Sequence, residues 1–418
     1  MSWRRRVGLF SVVSSMVVVS TVFPLSAAEA APKQQCLPPP LLSVPTVPWA
    51  QKRLAAHQVW QFTKGEGQIV GVVDTGVDAG AAQLSGRVLP GVDVRVNGSS
   101  KADNDCFGHG TFVAGIVAAA PVPTTPFSGI APAAQVLPIR IADNSTDTSP
   151  DALAKGIRAA VDLGAKVINV SASTNSVDPE IDTAVDYATA KDVLIVASAG
   201  NSAEQGNPTP YPASEGAVIA VGAVDSAGLR AQFSQTGKYL SLAAPGVDVA
   251  SLGPGGPGQW QASGTSYAAP FVTGVAVLVR AYHPHLTAAQ VKHRLEVTAD
   301  RPPANVPDPG LGWGIVNPMT AVTAILPEEN AGATASARAP GTAPRPDRPS
   351  RDVIGDLLVA SGLFLAMVII GAVLLAVRLG PTGTRRKWAP ARRVVIAEPK
   401  SEPEAATALV PRDPAVLA

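Results

Sequence analysis

The chain is organised around the stretch Ser263-Gly264-Thr265-Ser266-Tyr267-Ala268-Ala269-Pro270, which opens an apolar segment that predicts a helix from Ser266 to about Tyr282. A serine between small residues at a helix start can cap that helix, because its hydroxyl accepts a hydrogen bond from an unpaired backbone N–H. It can also be a nucleophile, if the chain supplies a base, an orienting acid and an oxyanion donor. The sequence upstream of Ser266 decides between these interpretations.

The candidate base lies in the stretch Asp105-Cys106-Phe107-Gly108-His109-Gly110-Thr111-Phe112-Val113-Ala114-Gly115. Glycines on both sides of His109 allow backbone and substrate to approach the imidazole closely. Phe112, in the same predicted helix, is expected to pack in the interior. The remaining histidines have no comparable setting and are expected to be ordinary surface or packing residues: His57, His283, His285 and His293.

The candidate acid ends a predicted buried strand, Gln68–Asp74, and catalytic groups in open α/β sheets gather at the carboxyl ends of strands. On its own, Asp74 could equally cap the turn that follows. Strands and helices then alternate as in βαβ units. Asn201 follows another predicted strand, Val193–Ala197, and this place distinguishes it from an ordinary turn asparagine. The remaining predicted elements are strands at 135–141, 167–171, 217–224 and 239–243, and helices at 150–162, 179–191 and 287–298.

Together and in this order, these stretches resemble the subtilase family of subtilisin-like serine proteases over residues 60 to 325. The order Asp, His, Ser is that of subtilisin and differs from that of chymotrypsin or the α/β-hydrolases. The resemblance implies an α/β fold, with a doubly wound, mostly parallel sheet and helices on both faces, in a peptidase domain at 61–325. Supporting matches are Gly-Ile-Ala-Pro at 129–132, Tyr-Pro-Ala at 211–213 and Ala-Pro-Gly at 244–246.

The resemblance also implies roles for the candidate residues. Ser266 would be the nucleophile, His109 the general base and Asp74 the group that orients it, while Asn201 would donate to the oxyanion. The strand bordering the substrate backbone would contain Ser171, Ala172 and Ser173. Many members have Ser-Leu-Gly-Gly at this place, so the missing glycines are expected to narrow or reshape the substrate pocket. Calcium sites are common in the family, but no ligand set can be mapped here, and neither a metal nor a cofactor is expected.

Both ends of the chain lie outside this domain. Arg4-Arg5-Arg6, an apolar run and Ala28-Glu29-Ala30 predict a secretory signal peptide at 1–30, with an uncleaved anchor as the alternative. A Pro- and Ala-rich linker is predicted at 326–353, and the 21 uncharged residues Leu357–Val377 favour a transmembrane helix at 354–378 over a buried core helix. Arginines and lysines follow that segment, which predicts a cytoplasmic tail at 379–418 and a single-pass type I protein in the cell membrane, with its catalytic domain outside the cytoplasm.

The two cysteines, Cys36 and Cys106, both lie on the predicted exported side, so a disulfide is expected rather than a metal site. The segment 31–60 is rich in proline and is expected to be extended. If the bridge forms, this N-terminal extension must cross the catalytic domain and reach the neighbourhood of His109. The net charge of +1 offers no electrostatic reason to expect a nucleic acid partner.

Within the subtilases, the signal peptide, the short Pro-rich extension, a cysteine three residues before the histidine and the C-terminal span resemble the mycosins. These are membrane-anchored proteases of actinobacterial type VII secretion systems. The resemblance implies a secretion membrane complex as partner and a few secreted proteins as substrates. A structural subunit of that complex, with proteolysis secondary, is the alternative. A broad degradative protease fits poorly with a membrane tether.

Overall fold

The structure is a computed structural model that describes residues 36–96, 100–144 and 148–331. The predicted signal peptide, transmembrane helix and cytoplasmic tail lie outside the described residues. Within them, no helix is both long enough and apolar enough to cross a membrane.

The secondary structure follows the predicted alternation of strands and helices. The strands are β1 (Ile69–Asp74), β2 (Val92–Asp93), β3 (Gln135–Arg140), β4 (Val167–Val170), β5 (Leu194–Ser198), β6 (Ile219–Val224), β7 (Leu240–Pro245), β8 (Val249–Leu252) and β9 (Gln259–Ala262). The helices are α1 (Trp49–Leu54), α2 (His109–Ala118), α3 (Pro150–Asp162), α4 (Pro179–Ala190), α5 (Thr265–Tyr282), α6 (Ala288–Val297), α7 (Pro318–Thr323) and α8 (Pro327–Ala331).

Seven strands form one sheet in the order β2-β3-β1-β4-β5-β6-β7, and every neighbouring pair is parallel. The chain goes from β1 to β3 on one side and then crosses to β4 on the other side. The strand order therefore reverses at β1, which is where open α/β sheets form their binding crevice, at the carboxyl ends of the strands. Asp74 ends β1 at this crevice, as the sequence predicted.

Helices cover both faces of this sheet. Along β1, Val72 joins the apolar core formed with α2 and α5, whereas Val73 joins a second core formed with α3 and α4. Successive residues of β5 alternate in the same way, with Val196 in the first core and Ala197 in the second. Because consecutive side chains of a strand point to opposite faces, continuous apolar strands require cover on both sides. The doubly wound α/β fold is thus confirmed.

Two local predictions were wrong, and one hairpin was not predicted. The segment at 49–61, expected to be extended, contains α1 and a 3-10 turn, because Ala50, Leu54 and Val59 bury their side chains against the domain. The antiparallel hairpin of β8 and β9 was not predicted. Residues 327–331, expected to belong to a linker, form α8 instead, and Glu329 in it pairs with a buried arginine of α6.

Candidate active site

Asp74 and His109 are in direct contact at the crevice. Asp74 is the last residue of β1 and His109 is the first residue of α2, and both side chains are buried. The Nδ1 atom of His109 lies 2.7 Å from Oδ1 and 2.9 Å from Oδ2 of Asp74. With Nδ1–H donated to the carboxylate, Nε2 carries the lone pair, which is the tautomer that a general base needs.

The glycines flanking His109 make this approach possible. A side chain on Gly110 would collide with the backbone carbonyl of Gly76 and would lie 3.2 Å from Cβ of Asp74. Gly108 precedes α2 with φ of +89°, a conformation that favours glycine, and any Cβ there would meet the ring of Trp260. The Gly-His-Gly pattern therefore brings α2 against β1 on one side and against β9 on the other.

Ser266 is the second residue of α5 and does not cap the helix. The N-cap position belongs to Gly264, which has no side chain to accept a capping hydrogen bond. The ring of Tyr267, the next residue, lies 5.1 Å from that of His109, centroid to centroid, so the start of α5 is adjacent to the imidazole. No hydrogen bond joins Ser266 Oγ to His109 in this structure; such contacts are often long until a substrate binds.

Asn201 lies in the loop after β5, and its side chain contacts the start of α5. Its Oδ1 accepts hydrogen bonds from the backbone N–H of Thr265 at 2.8 Å and from the Thr265 hydroxyl at 2.9 Å. The opposite end of the amide, Nδ2, is thereby directed toward Gly264. A Cβ built on Gly264 would lie 3.5 Å from Asn201 Nδ2 and 3.1 Å from Ser266 Oγ. The absent side chain leaves open a space that a hydroxyl and an amide donor both border.

Thr265 was not singled out from the sequence. Its side chain is fully buried, and its hydroxyl also accepts a hydrogen bond from the backbone N–H of Gly200 at 3.1 Å. The residue therefore ties the loop that contains Asn201 to the start of the nucleophile helix. Its position next to Ser266 was visible in the sequence, but its partners are 64 and 65 residues away and are identified by the fold.

Ser171, expected in the substrate-binding strand, uses its hydroxyl inside the protein. Its Oγ donates to the backbone carbonyl of Ser266 at 2.8 Å and accepts from Nδ2 of Asn169 at 2.7 Å. The Oδ1 atom of Asn169 in turn accepts from the hydroxyl of Thr273 on α5. This buried series of hydrogen bonds ties α5, the helix that begins with Thr265 and Ser266, to β4 and Ser171.

The segment that follows remains a candidate border of the substrate site. Ala172 and Ser173 are half-buried beyond the end of β4, beside the crevice. The next residue, Thr174, pairs with Tyr211 through backbone hydrogen bonds of 3.0 and 2.8 Å, which hold this segment in an extended form. Contact of Ser171, Ala172 and Ser173 with a substrate stays a prediction.

Asp105 is a second buried carboxylate whose role the sequence did not reveal. One oxygen accepts from the hydroxyl of Thr75 at 2.9 Å and from the N–H of Gly108 at 2.8 Å. The other accepts from the N–H of Thr111 at 2.9 Å and from its hydroxyl at 2.8 Å. Thr75 directly follows Asp74, so Asp105 links the segment of the acid to the helix of the base.

The charges at the site alter its protonation equilibria. Burial acts to lower the pKa of His109, but the charge and hydrogen bond of Asp74, together with the charge of Asp105, outweigh it and raise that pKa above its ordinary value of 6.5. Burial raises the pKa of Asp105 despite its hydrogen bonds. Burial, with the nearby charge of Asp74, also raises the pKa of Tyr267 to about 12, so its phenol stays neutral.

The expected disulfide is present, with Cys36 and Cys106 joined by an S–S bond of 2.01 Å. The N-terminal extension consequently meets the domain three residues before His109. Phe112 is buried with its ring 4.6 Å from that of Tyr267, so its expected packing role is confirmed. Among the residues that the structure describes, no group of His, Cys, Asp and Glu side chains could hold a metal ion.

Several known proteins are similar to this chain. The subtilase family (peptidase S8) matches residues 65–314. The chain is 38% identical to Mycosin-4 of Mycobacterium tuberculosis over 337 residues, which cover 70% of this chain and 72% of that protein. It is 40% identical to Subtilisin DY of Bacillus licheniformis over 257 residues, or 61% of this chain and 92% of that protein.

Solved structures of type VII secretion proteases are similar as well. The MycP3 protease of the ESX-3 system matches with a TM-score of 0.60 at 32% identity, over 70% of this chain and 93% of that one. MycP1, described as a serine protease and an essential component of the type VII (ESX-1) secretion system, also matches with a TM-score of 0.60, at 29% identity and with the same coverage. The chain therefore belongs to the subtilase family and is a subtilisin-type serine endopeptidase homologous to the mycosins.

Proposed function

We propose that this protein is a membrane-anchored extracytoplasmic endopeptidase that uses Asp74, His109 and Ser266 as its catalytic triad and cleaves selected secreted proteins. The observation that carries the proposal is the convergence of four separate segments near the start of α5. The hydroxyl of Ser266 and the amide donor of Asn201 border the space in front of Gly264, and the imidazole of the Asp74–His109 pair lies beside the ring of Tyr267, the residue after Ser266. Acyl transfer requires a nucleophile, a base and an oxyanion donor in this relation.

In the first step, Ser266 Oγ attacks the carbonyl carbon of the scissile peptide bond, and His109 Nε2 takes the hydroxyl proton. Asp74 stabilises the imidazolium that forms, through the hydrogen bond to Nδ1. His109 then gives the proton to the leaving amine, the C–N bond breaks and an acyl-enzyme remains. A water molecule, deprotonated by the same imidazole, hydrolyses the ester and restores Ser266.

The negative charge on the carbonyl oxygen would be stabilised by two donors. Asn201 supplies its Nδ2–H, since its carbonyl oxygen is already bound to Thr265. The backbone N–H of Ser266 is the second, because the first N–H groups of an α-helix have no partner within the helix. Removal of one such donor costs about 3–4 kcal/mol in the transition state by general experience.

The two terminal segments and the similar proteins support a location and partners for this activity. The segments 1–30 and 354–378, both outside the described residues, support export and a single span of the cell membrane, with the C-terminus in the cytoplasm. The similarity to proteases of type VII secretion systems supports an association with such a membrane complex and a small set of exported protein substrates.

A structural role in the secretion complex is the second candidate function. MycP1 is described as an essential component of its secretion system, and an essential component can act by assembly as well as by proteolysis. The two roles separate in a strain that carries Ser266→Ala. Secretion that persists in this strain but stops after deletion of the whole protein would assign the scaffold role to this chain.

The direct test of the enzymatic proposal is labelling with a fluorophosphonate probe, which reacts with activated serines. We expect the wild-type protein to be labelled and the Ser266→Ala variant to remain unlabelled. Ser263→Ala is the matched control, because Ser263 lies in the same stretch, but its hydroxyl contacts Asp248 instead of the site. Absence of labelling on the folded wild-type protein would contradict the proposed triad.

A further inference from the structure

A small pocket beside His109 includes a residue from the N-terminal extension. It has a volume of about 170 Å³ and is lined mainly by aromatic and aliphatic side chains, among them Leu37, Phe107, Phe112, Trp260 and Tyr267. His109 is the only lining residue that can carry a charge near neutral pH, because the phenol of Tyr267 stays neutral. Such a lining suits an uncharged, apolar side chain.

The proposed mechanism assigns the pocket to the side of the scissile bond from which the amine departs. In that mechanism the acyl side of the substrate is bordered by the segment 171–173 and by Asn201, and none of these residues lines the pocket. His109, which must give its proton to the leaving amine, is one of its walls. A side chain on the first residue of the leaving group would therefore be the part of a substrate nearest to this pocket.

Leu37 is held in its place by the residues on both sides of it. Cys36 is joined covalently to Cys106, and the N–H of Leu37 donates to the carbonyl of Cys106 at 3.2 Å. A few residues later, the extension pairs with the start of β9. The N–H of Gly258 donates to the carbonyl of Pro40, and that of Gln259 to the carbonyl of Leu42, each at 2.9 Å.

Leu37 is 45% exposed, although burial of a leucine side chain stabilises a folded protein. It forms one wall of the pocket opposite the rings of α2, β9 and α5, so a bound apolar side chain would cover part of its surface. No other part of the N-terminal extension lines this pocket among the described residues. Leu37 is thus the residue through which the extension contributes to this pocket.

We propose that Leu37 is a specificity-determining residue, which selects an apolar side chain of limited size on the first residue of the leaving group. This inference rests on the proposed proteolytic function. The disulfide and the pairing with β9 hold Leu37 in position, so the N-terminal extension is a built-in part of the substrate site. A smaller side chain in place of Leu37 widens the pocket, and a larger one fills it.

The test is cleavage of a proteome-derived peptide library by the full-length protein, with cleavage sites identified by mass spectrometry. We compare the wild type with Leu37→Ala, Leu37→Trp and Ser266→Ala. Leu41→Ala is the matched control, since Leu41 lies in the same extension, is 74% exposed and does not line the pocket. Melting temperatures check that every variant is folded.

We expect wild-type cleavage sites to favour apolar residues directly after the scissile bond. Leu37→Ala should raise the ratio of aromatic to small residues at that position by roughly tenfold or more, and Leu37→Trp should lower it, since even one methylene group in an apolar pocket changes discrimination by about tenfold. Preferences before the scissile bond should not change, and Leu41→Ala should match the wild type.

Two negative results have different meanings. If cleavage depends on Ser266 but both Leu37 variants keep the wild-type preference after the scissile bond, the role of Leu37 is refuted and the proposed function stands. If the folded wild type and Ser266→Ala yield the same cleavage sites, or none, the proposed function itself fails.

Discussion

Asn201 and Thr265 are joined by two hydrogen bonds that use the same oxygen of the asparagine, 2.8 Å from the backbone nitrogen of Thr265 and 2.9 Å from its hydroxyl. Because that oxygen is occupied, the amide nitrogen must point away from Thr265, toward the space in front of Gly264. An asparagine in an exposed loop would otherwise rotate freely. Thr265 thus orients the Nδ2–H donor of Asn201 before a substrate binds, which is the condition for efficient oxyanion stabilisation.

This arrangement predicts a specific effect of Thr265→Val, which keeps the shape of the side chain but removes the hydroxyl. Asn201 loses one of its two hydrogen bonds, and the N–H of Gly200 loses its acceptor. We expect kcat on a peptide substrate to fall about fivefold with KM nearly unchanged, since one neutral hydrogen bond contributes about 1 kcal/mol. Thr265→Ser retains the hydroxyl and should stay within about twofold of the wild type. Equal kcat values for Thr265→Val and Thr265→Ser would rule out this role.

Removal of the donor itself should have a larger effect. For Asn201→Ala we expect kcat to decrease by about 10²–10³, because the amide acts on charge that develops only in the transition state. KM should change little. The reference is Asn305→Ala, another exposed asparagine, which lies outside the site. Steady-state kinetics on one peptide substrate measures both parameters, and a rise in KM at constant kcat would instead assign Asn201 to ground-state binding.

The main features of the site could be predicted because each left a local pattern in the chain. Asp74 ends an apolar strand, His109 lies between two glycines, and Ser266 opens an apolar helix. These patterns reflect close backbone approach and sheet topology, which short stretches of sequence encode. The parallel fold followed from the alternation of buried strands with amphipathic helices in the same way.

Features that depend on partners far along the chain could not be predicted in this way. Ser171 was assigned to the strand that borders the substrate, but the partner of its hydroxyl, the Ser266 carbonyl 95 residues away, could not be identified from the sequence. Asp105 was given no role from the sequence, because its hydrogen-bond donors come from two segments that only the fold brings together. The hairpin of β8 and β9 was missed because its second strand, Gln259–Ala262, is only partly buried, and its alternation of polar and apolar residues covers only four positions.

The raised pKa of His109 predicts how activity depends on pH. Three titratable groups lie near its imidazole: Asp74 from β1, Asp105 from the preceding loop and Tyr267 from α5. General-base catalysis requires the neutral imidazole, so kcat/KM should rise with pH, with a midpoint above 6.5. The contribution of His109 to the free energy of unfolding changes with pH in the opposite direction to kcat/KM. It is fully present below the unfolded pKa and is lost as the pH rises through the higher folded pKa.

Asp105→Asn should move that midpoint. The charge of Asp105 contributes to the raised pKa of His109, so its removal should shift the acid limb of kcat/KM toward lower pH. An amide also cannot accept all four hydrogen bonds, and kcat should therefore fall about tenfold. Asp103→Asn, two residues earlier in the same loop, is the control. A rate decrease without a displaced midpoint would mean that Asp105 acts on geometry alone.

A buried ion pair joins α8 to α6. Arg294 on α6 is 1% exposed; it donates to both carboxylate oxygens of Glu329, at 2.8 and 2.6 Å, and to the carbonyls of Ala321 and Ala324. Glu329→Gln removes the charge that compensates this arginine, and an unpaired buried charge costs about 3 kcal/mol or more. We expect the melting temperature to fall by roughly 5–10 °C.

The neighbouring residue offers a matched comparison for this prediction. Glu328 pairs with His293 at 3.3 Å, but both side chains are about half exposed, and an exposed pair of this kind contributes about 0–1 kcal/mol. Glu328→Gln should therefore leave the melting temperature nearly unchanged in the same thermal unfolding experiment. If the two substitutions lower it equally, α8 is held by packing or by its backbone rather than by the pair of Arg294 and Glu329. The folded domain would then not depend on this pair for its C-terminal boundary.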